Sequence, residues 1–220
     1  MIQNIKKILI LKSKNIIGML ILIAAIAAMA VIIGLILIAD EEEGMLNVMI
    51  AGVVPTGYLA GSYFFKLMFY ADETSRGLSL GITRKTLFIY SRLYDLVEVL
   101  LIALVCIACN VVSINLIIKC ALLIFAFQMI LEGLGASSIV RYGKTAYWVC
   151  YAFFLVICIG LPRLLHAIPA VGDASALLMD YITNPVYNQG PIWIGIIVVT
   201  AFTVIINWIT YRRIPVNFVM

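Results

Sequence analysis

Apolar residues run along this chain in long blocks separated by short polar breaks, and a block of roughly 20 such residues is enough to cross a bilayer as a helix. The first block, residues 16–39, is uninterrupted until the acidic run Asp40, Glu41, Glu42 and Glu43. The second, 45–70, contains Pro55 and the pair Gly57 and Gly61. The third and fourth, 93–112 and 116–140, are joined through Ser113, Ile114 and Asn115, a connection short enough to make them antiparallel neighbours. Arg141, Tyr142, Gly143 and Lys144 separate the fourth from a fifth, 145–161, and a sixth spans 192–209 before Tyr211, Arg212 and Arg213. The pattern predicts an all-α membrane protein: one transmembrane domain over 1–220 with six membrane-spanning helices.

The segments between the blocks carry their own signals. Residues 1–15 place Ile2, Ile5, Ile8 and Leu9 on one helical side and Lys6, Lys7 and Lys14 on another, although Ile10, Leu11 and Lys12 blur the stripe. The segment reads as an interfacial helix held by apolar burial and anionic lipid, or simply as a basic flank that sets orientation. It imitates a signal peptide, but 16–39 is longer than the apolar core of one. Residues 71–87 form the longest charged loop. Residues 162–191, richer in Pro, Asn and Asp, read as an outer loop broken by a short helix, 174–182, with Asp173 at its start and Asn184-Pro185 at its end.

Charge sets the orientation. Lys and Arg cluster in the N-terminal segment, at Arg76, Arg84 and Lys85, at Arg141 and Lys144, and at Arg212 and Arg213, all on one face of a six-span topology. The other face holds the acidic run, Asp173 and Asp180, with only Lys119 and Arg163 as bases. The positive-inside rule therefore predicts both termini in the cytoplasm. Trp208 and Tyr211, Tyr147 and Trp148, and Trp193 suit aromatic belts at the two interfaces.

Composition agrees and narrows the function classes. Hydrophobic residues make up 65% of the 220 and charged residues 12%, with a mean hydropathy of +1.14. The net charge of +4 is spread over topology clusters rather than one basic stripe, which argues against nucleic acid as a partner. Cys106, Cys109, Cys120, Cys150 and Cys158 all fall in apolar segments, and the CxxC spacing of the first two has no second pair or nearby His to complete a metal site. His166 is the sole histidine. No P-loop, HExxH, GxSxG or GxGxxG is present, so no catalytic residues, metal or cofactor are assigned to the chain, and any ATP chemistry must lie on a partner.

The informative polar residues are those inside or beside the spans, because burying a charge is costly. Lys66, Arg92, Asp95, Glu98 and Glu132 all fall toward the cytoplasmic ends of their helices. Two arrangements are open: mutual pairing near the interface, with Arg92 and Asp95 one turn apart, or a polar vestibule that receives substrate. Gly57 and Gly61 form a GxxxG pair that lets two backbones approach, either within the chain or across a dimer seam.

The loop Glu73-Thr-Ser-Arg-Gly77-Leu-Ser-Leu-Gly81-Ile-Thr83-Arg84-Lys85, with six spans, an N-terminal interfacial helix and a broken outer loop, resembles the membrane subunit of an ABC-2 type ATP-binding-cassette transporter. The resemblance implies that Asp72, Glu73, Arg76, Gly77, Gly81, Arg84 and Lys85 belong to a coupling element docked on a separate ATPase, which holds ATP and magnesium. It also implies a second, identical or paralogous permease subunit, a bacterial plasma-membrane location, and export of a peptide or other amphipathic substrate. Two other readings are an intramembrane enzyme acting on lipid or peptide through Glu132, Asp95 or His166, and a proton-driven carrier using Asp95, Glu98 and Glu132. Glu132 and Asp95 lie on the opposite side of the bilayer from His166 in the predicted topology, and no internal repeat with matching broken helices supports a carrier.

Overall fold

The computed structural model describes residues 10–13, 16–18, 20–26, 28, 29, 32, 45–184 and 186–214. The expected acidic outer turn at 40–43, most of the interfacial helix and the end of the chain lie outside these residues, as do the side chains of Asp72, Arg141, Lys144 and His166. All described elements are α-helices: α1 (Met45–Ser79), α2 (Arg84–Ala108), α3 (Ile114–Tyr142), α4 (Lys144–Ala167), α5 (Pro169–Thr183) and α6 (Gln189–Arg212). Shorter helical pieces occupy the described part of 10–32. Within α3, Ile114–Gly135 is long and apolar enough to cross a membrane, and so is α6.

Helix α3 is the hub. It packs most extensively on α6 and also meets α1, α2 and α4. One apolar core joins Val54 and Tyr58 of α1, Val99, Ile102 and Ala103 of α2, and Ile117, Ala121, Phe125 and Met129 of α3. A second places Tyr63 and Leu67 against Leu131, Ile139, Ala146, Tyr147 and Phe154. Large apolar side chains also face outward in rows, such as Leu93, Val97, Leu100, Leu101 and Leu104 on α2 and Ile194, Ile197, Val198, Phe202 and Ile205 on α6.

The glycine pair of α1 has an occupant within the chain. A Cβ at Gly57 would stand 2.6 Å from Ile26, and one at Gly61 would overlap the side chain of Leu22. The four-residue spacing on both sides matches one helical ridge lying in the other's groove, so the bare backbone seats residues 20–26.

Two polar stretches expected as loops are mostly helix. Helix α1 runs through Asp72 and Glu73 to Ser79, leaving only Leu80 to Thr83 as the turn into α2. No proline interrupts 71–79, and Arg76 lies in the last turn, where a cation suits the helix dipole. The helix stops at Gly81, whose φ of 76° lies in the left-handed region. The amide of Ile82 donates to the Gly77 carbonyl at 3.2 Å and that of Gly81 to Leu78 at 3.0 Å, the paired bonds of a Schellman cap. Thr83 then caps α2, accepting from the Thr86 amide at 3.3 Å. In the outer segment, α4 passes Pro162 to Ala167 and α5 begins at Pro169 rather than after Asp173. Proline at the first helical position has its φ set and no amide to satisfy, which moves the start upstream.

Candidate functional site

Residues 92, 95 and 98 recur at three-residue spacing and share one face of α2, while Tyr58, Ser62 and Lys66 share one face of α1. Packed against Gln128 and Glu132 of α3, these faces bring all five charged residues singled out in the spans into one cluster. Lys66 Nζ lies 2.9 Å from Asp95 Oδ1 and 3.0 Å from Glu98 Oε2. Arg92 Nη1 lies 3.3 Å from Asp95 Oδ2 and also pairs with Glu132 Oε2. Its guanidinium stands over the Phe88 ring, 5.5 Å from the centroid. The Tyr58 hydroxyl donates to Glu98 at 3.1 Å, and the Gln128 amide donates to Ser62 at 2.8 Å.

A sixth member was not expected. Lys12 Nζ lies 3.5 Å from Asp95 Oδ1 and 4.7 Å from the centre of the Tyr94 ring, and Lys12 is buried. Its sequence signal is the break it makes in the amphipathic stripe of the N-terminal segment. With Lys12 included, the cluster holds three cations and three carboxylates. Asp95 is 1% exposed and Lys66 5%, so the charged side chains are paired with one another in a buried, charge-balanced plug. Neutrality matters because each buried ion costs several kcal/mol of hydration, returned only through close partners.

Beyond Glu98 the same α2 face turns apolar, at Val99, Ile102, Ala103 and Cys106, and lines a cavity of about 530 Å³ shared with α1 and α3. Tyr58 stands at the boundary, with its ring in the cavity wall and its hydroxyl on Glu98. Met179 of α5 borders the cavity at its other end. Cys106 and Cys120 are both in the wall, and among the described residues no group of His, Cys, Asp and Glu is arranged to hold a metal.

Helix α5 has no buried residue and is fastened at its end. Lys119 of α3, 1% exposed, donates to the Ile182 carbonyl at 2.9 Å and to Gln189 Oε1 at the start of α6. A cation on a last-turn carbonyl also opposes the negative end of the α5 dipole. Lys119→Met is expected to remove this clamp at a cost of about 1–3 kcal/mol locally. Hydrogen exchange should then quicken at the amides of 180–184 while those of α3 stay protected.

The α1–α2 corner gathers the remaining singled-out residues. Gly77 admits Leu87, whose side chain would stand 2.6 Å from a Cβ there, with Leu11 at 3.3 Å. Ile82, Leu87 and Phe88 pack with Tyr211 and Ile214, and Arg84 Nη1 donates to the Arg212 carbonyl at 2.7 Å. Glu73 lies within electrostatic reach of Tyr211. Arg76, Leu80, Gly81 and Lys85 are exposed on the outside of the corner. Compared with family models, curated proteins and solved structures, the chain has no significant match.

Proposed function

We propose that this chain is a six-span permease subunit of an ATP-driven exporter in a bacterial plasma membrane, with both termini cytoplasmic and the ATPase on a separate subunit. The observation that carries the reading is the doubly capped α1–α2 corner. It is capped at both helix ends, anchored through Ile82 to the end of α6, and presents Leu80, 45% exposed, between Arg76 and Lys85. A fixed apolar tip with flanking cations is the form of a docking point for a partner that must transmit force. The outward rows of Leu, Ile and Val on α2 and α6 support a lipid environment, since water-facing helices carry polar residues there. A second permease subunit and an amphipathic peptide as cargo complete the proposal.

Purification of the full chain in mild detergent tests it: an ATPase should accompany it. Leu80→Asp is expected to weaken that association by about 2 kcal/mol or more, the scale of a central contact residue, without lowering the melting temperature of the permease. If no ATPase copurifies, the permease reading falls. If one does and Leu80→Asp together with Lys85→Glu leaves it bound, the corner is not its dock.

A further inference from the structure

The apolar cavity between α1, α2 and α3 has one feature that an ordinary packing defect lacks. Position 55 is proline, so the Ala51 carbonyl four residues earlier has no helical amide to accept from. Ala51 lines the cavity, and the contact described for its oxygen is the Cys106 thiol at 4.0 Å, a weak donor. The Thr56 hydroxyl bonds the neighbouring Gly52 carbonyl, whose own helical donor is not removed by the proline, and so does not serve the Ala51 oxygen. Ala51 lies about two turns of helix, roughly 10 Å, from Tyr58 at the charged end. It therefore sits toward the end bordered by Met179, and the wall between is aliphatic apart from two thiols and Thr56.

We propose that this cavity binds one alkyl chain of a lipid-like molecule whose polar end carries a hydroxyl or amide N–H. The donor bonds the Ala51 carbonyl near Met179, and the chain runs inward along Val99 and Ile102 to stop against Tyr58. The volume lies within the range of small-molecule sites, about 300–1,000 Å³, and the apolar lining with a single polar contact is the usual division between affinity and orientation in such sites. Among the described residues no charged side chain lines the cavity, so none of them would pair with a charged headgroup inside it. The site goes beyond the transport reading and holds without an ATPase; it requires only that α1 to α3 lie in a lipid phase.

The wall contains its own reporters. In the full chain held in a fluorinated surfactant, whose tails mix poorly with hydrocarbon, N-ethylmaleimide alkylation of Cys106, Cys120 and Cys150 is followed by peptide mass spectrometry. Adding 1-tetradecanol should slow alkylation of Cys106 and Cys120 several-fold and leave Cys150, in the α4 region, unchanged. Tetradecane, which has no donor, should protect less at equal concentration. A Cβ at Gly52 meets no atom within 4 Å, so Gly52→Trp has room to fill the cavity without disturbing the helix. In that variant Cys106 and Cys120 should be protected from the outset and insensitive to the alcohol. Equal slowing at all three thiols, or no slowing at any, overturns the site. Equal protection by alkane and alcohol overturns the role of the Ala51 carbonyl. Full protection before any probe is added assigns the cavity to another segment or a second copy and likewise overturns the proposal.

Discussion

Asp95→Ala is expected to destabilise the protein by about 3–5 kcal/mol, the cost of breaking a buried ion pair from one side. The carboxylate is 1% exposed and faces Lys12, Lys66 and Arg92. Its removal leaves three cations beside only Glu98 and Glu132. Neither remaining carboxylate can replace it, since Glu98 already accepts from Tyr58 and Lys66, and Glu132 from Arg92. Thermal unfolding of the purified chain measures the loss. Adding Lys66→Met to Asp95→Ala restores the balance of charge, so the double variant should lose less than the sum of the single changes. Additive losses would show that the cluster is not a coupled unit, and a wild-type melting temperature for Asp95→Ala would show that it is open to water.

The second large effect lies at the glycine pair. Gly61→Leu places a branched side chain where Leu22 sits, and overpacking of this kind costs about 1–3 kcal/mol when the neighbour cannot move. Residues 20–26 are expected to leave the α1 groove and to draw Lys12 out of the charged cluster. Trypsin should then cut after Lys12 much faster, while cleavage after the exposed Arg212 serves as the reference. Leu22→Ala returns space to the same contact, so Gly61→Leu with Leu22→Ala should recover part of the loss. Unchanged cleavage and melting in Gly61→Leu would mean that this face seats something other than the N-terminal helix.

The sequence was legible where periodicity and chemistry pointed the same way. The apolar blocks at 45–70, 116–140, 145–161 and 192–209 lie within helices, the block at 93–112 overruns the end of its helix at Ala108, and the ionisable residues among them do pack together, because spacings of three and four residues put a charged stripe on one helix face. The close approach allowed by Gly57 and Gly61 was also visible, although a glycine pair alone does not say which helix lies in the groove. Polarity misleads at 71–79, where charged residues suggest a loop and the chain forms helix. The better boundary signal was Leu80-Gly81-Ile82-Thr83, a left-handed stop followed by a hydroxyl cap. Lys12 was missed because a basic residue near an apolar block has a ready explanation as an orientation signal. The Ala51 carbonyl was hidden for a different reason: Pro55 announces a missing hydrogen bond, but only the fold shows that the freed acceptor borders a cavity.

The bond between Lys12 and Asp95 also orders events in time. Synthesis proceeds from the N-terminus, so Lys12 leaves the ribosome long before the helix bearing its partner exists. Until α2 has been made and placed, Lys12 lacks Asp95, and the packing of residues 20–26 in the groove of α1 is without that ion pair. Arrival of α2 supplies Asp95 to Lys12 and Lys66 together and makes that docking durable. The pairing of Lys12 is therefore completed only after α2 is in place, and the charged plug records that the helices around it have been assembled.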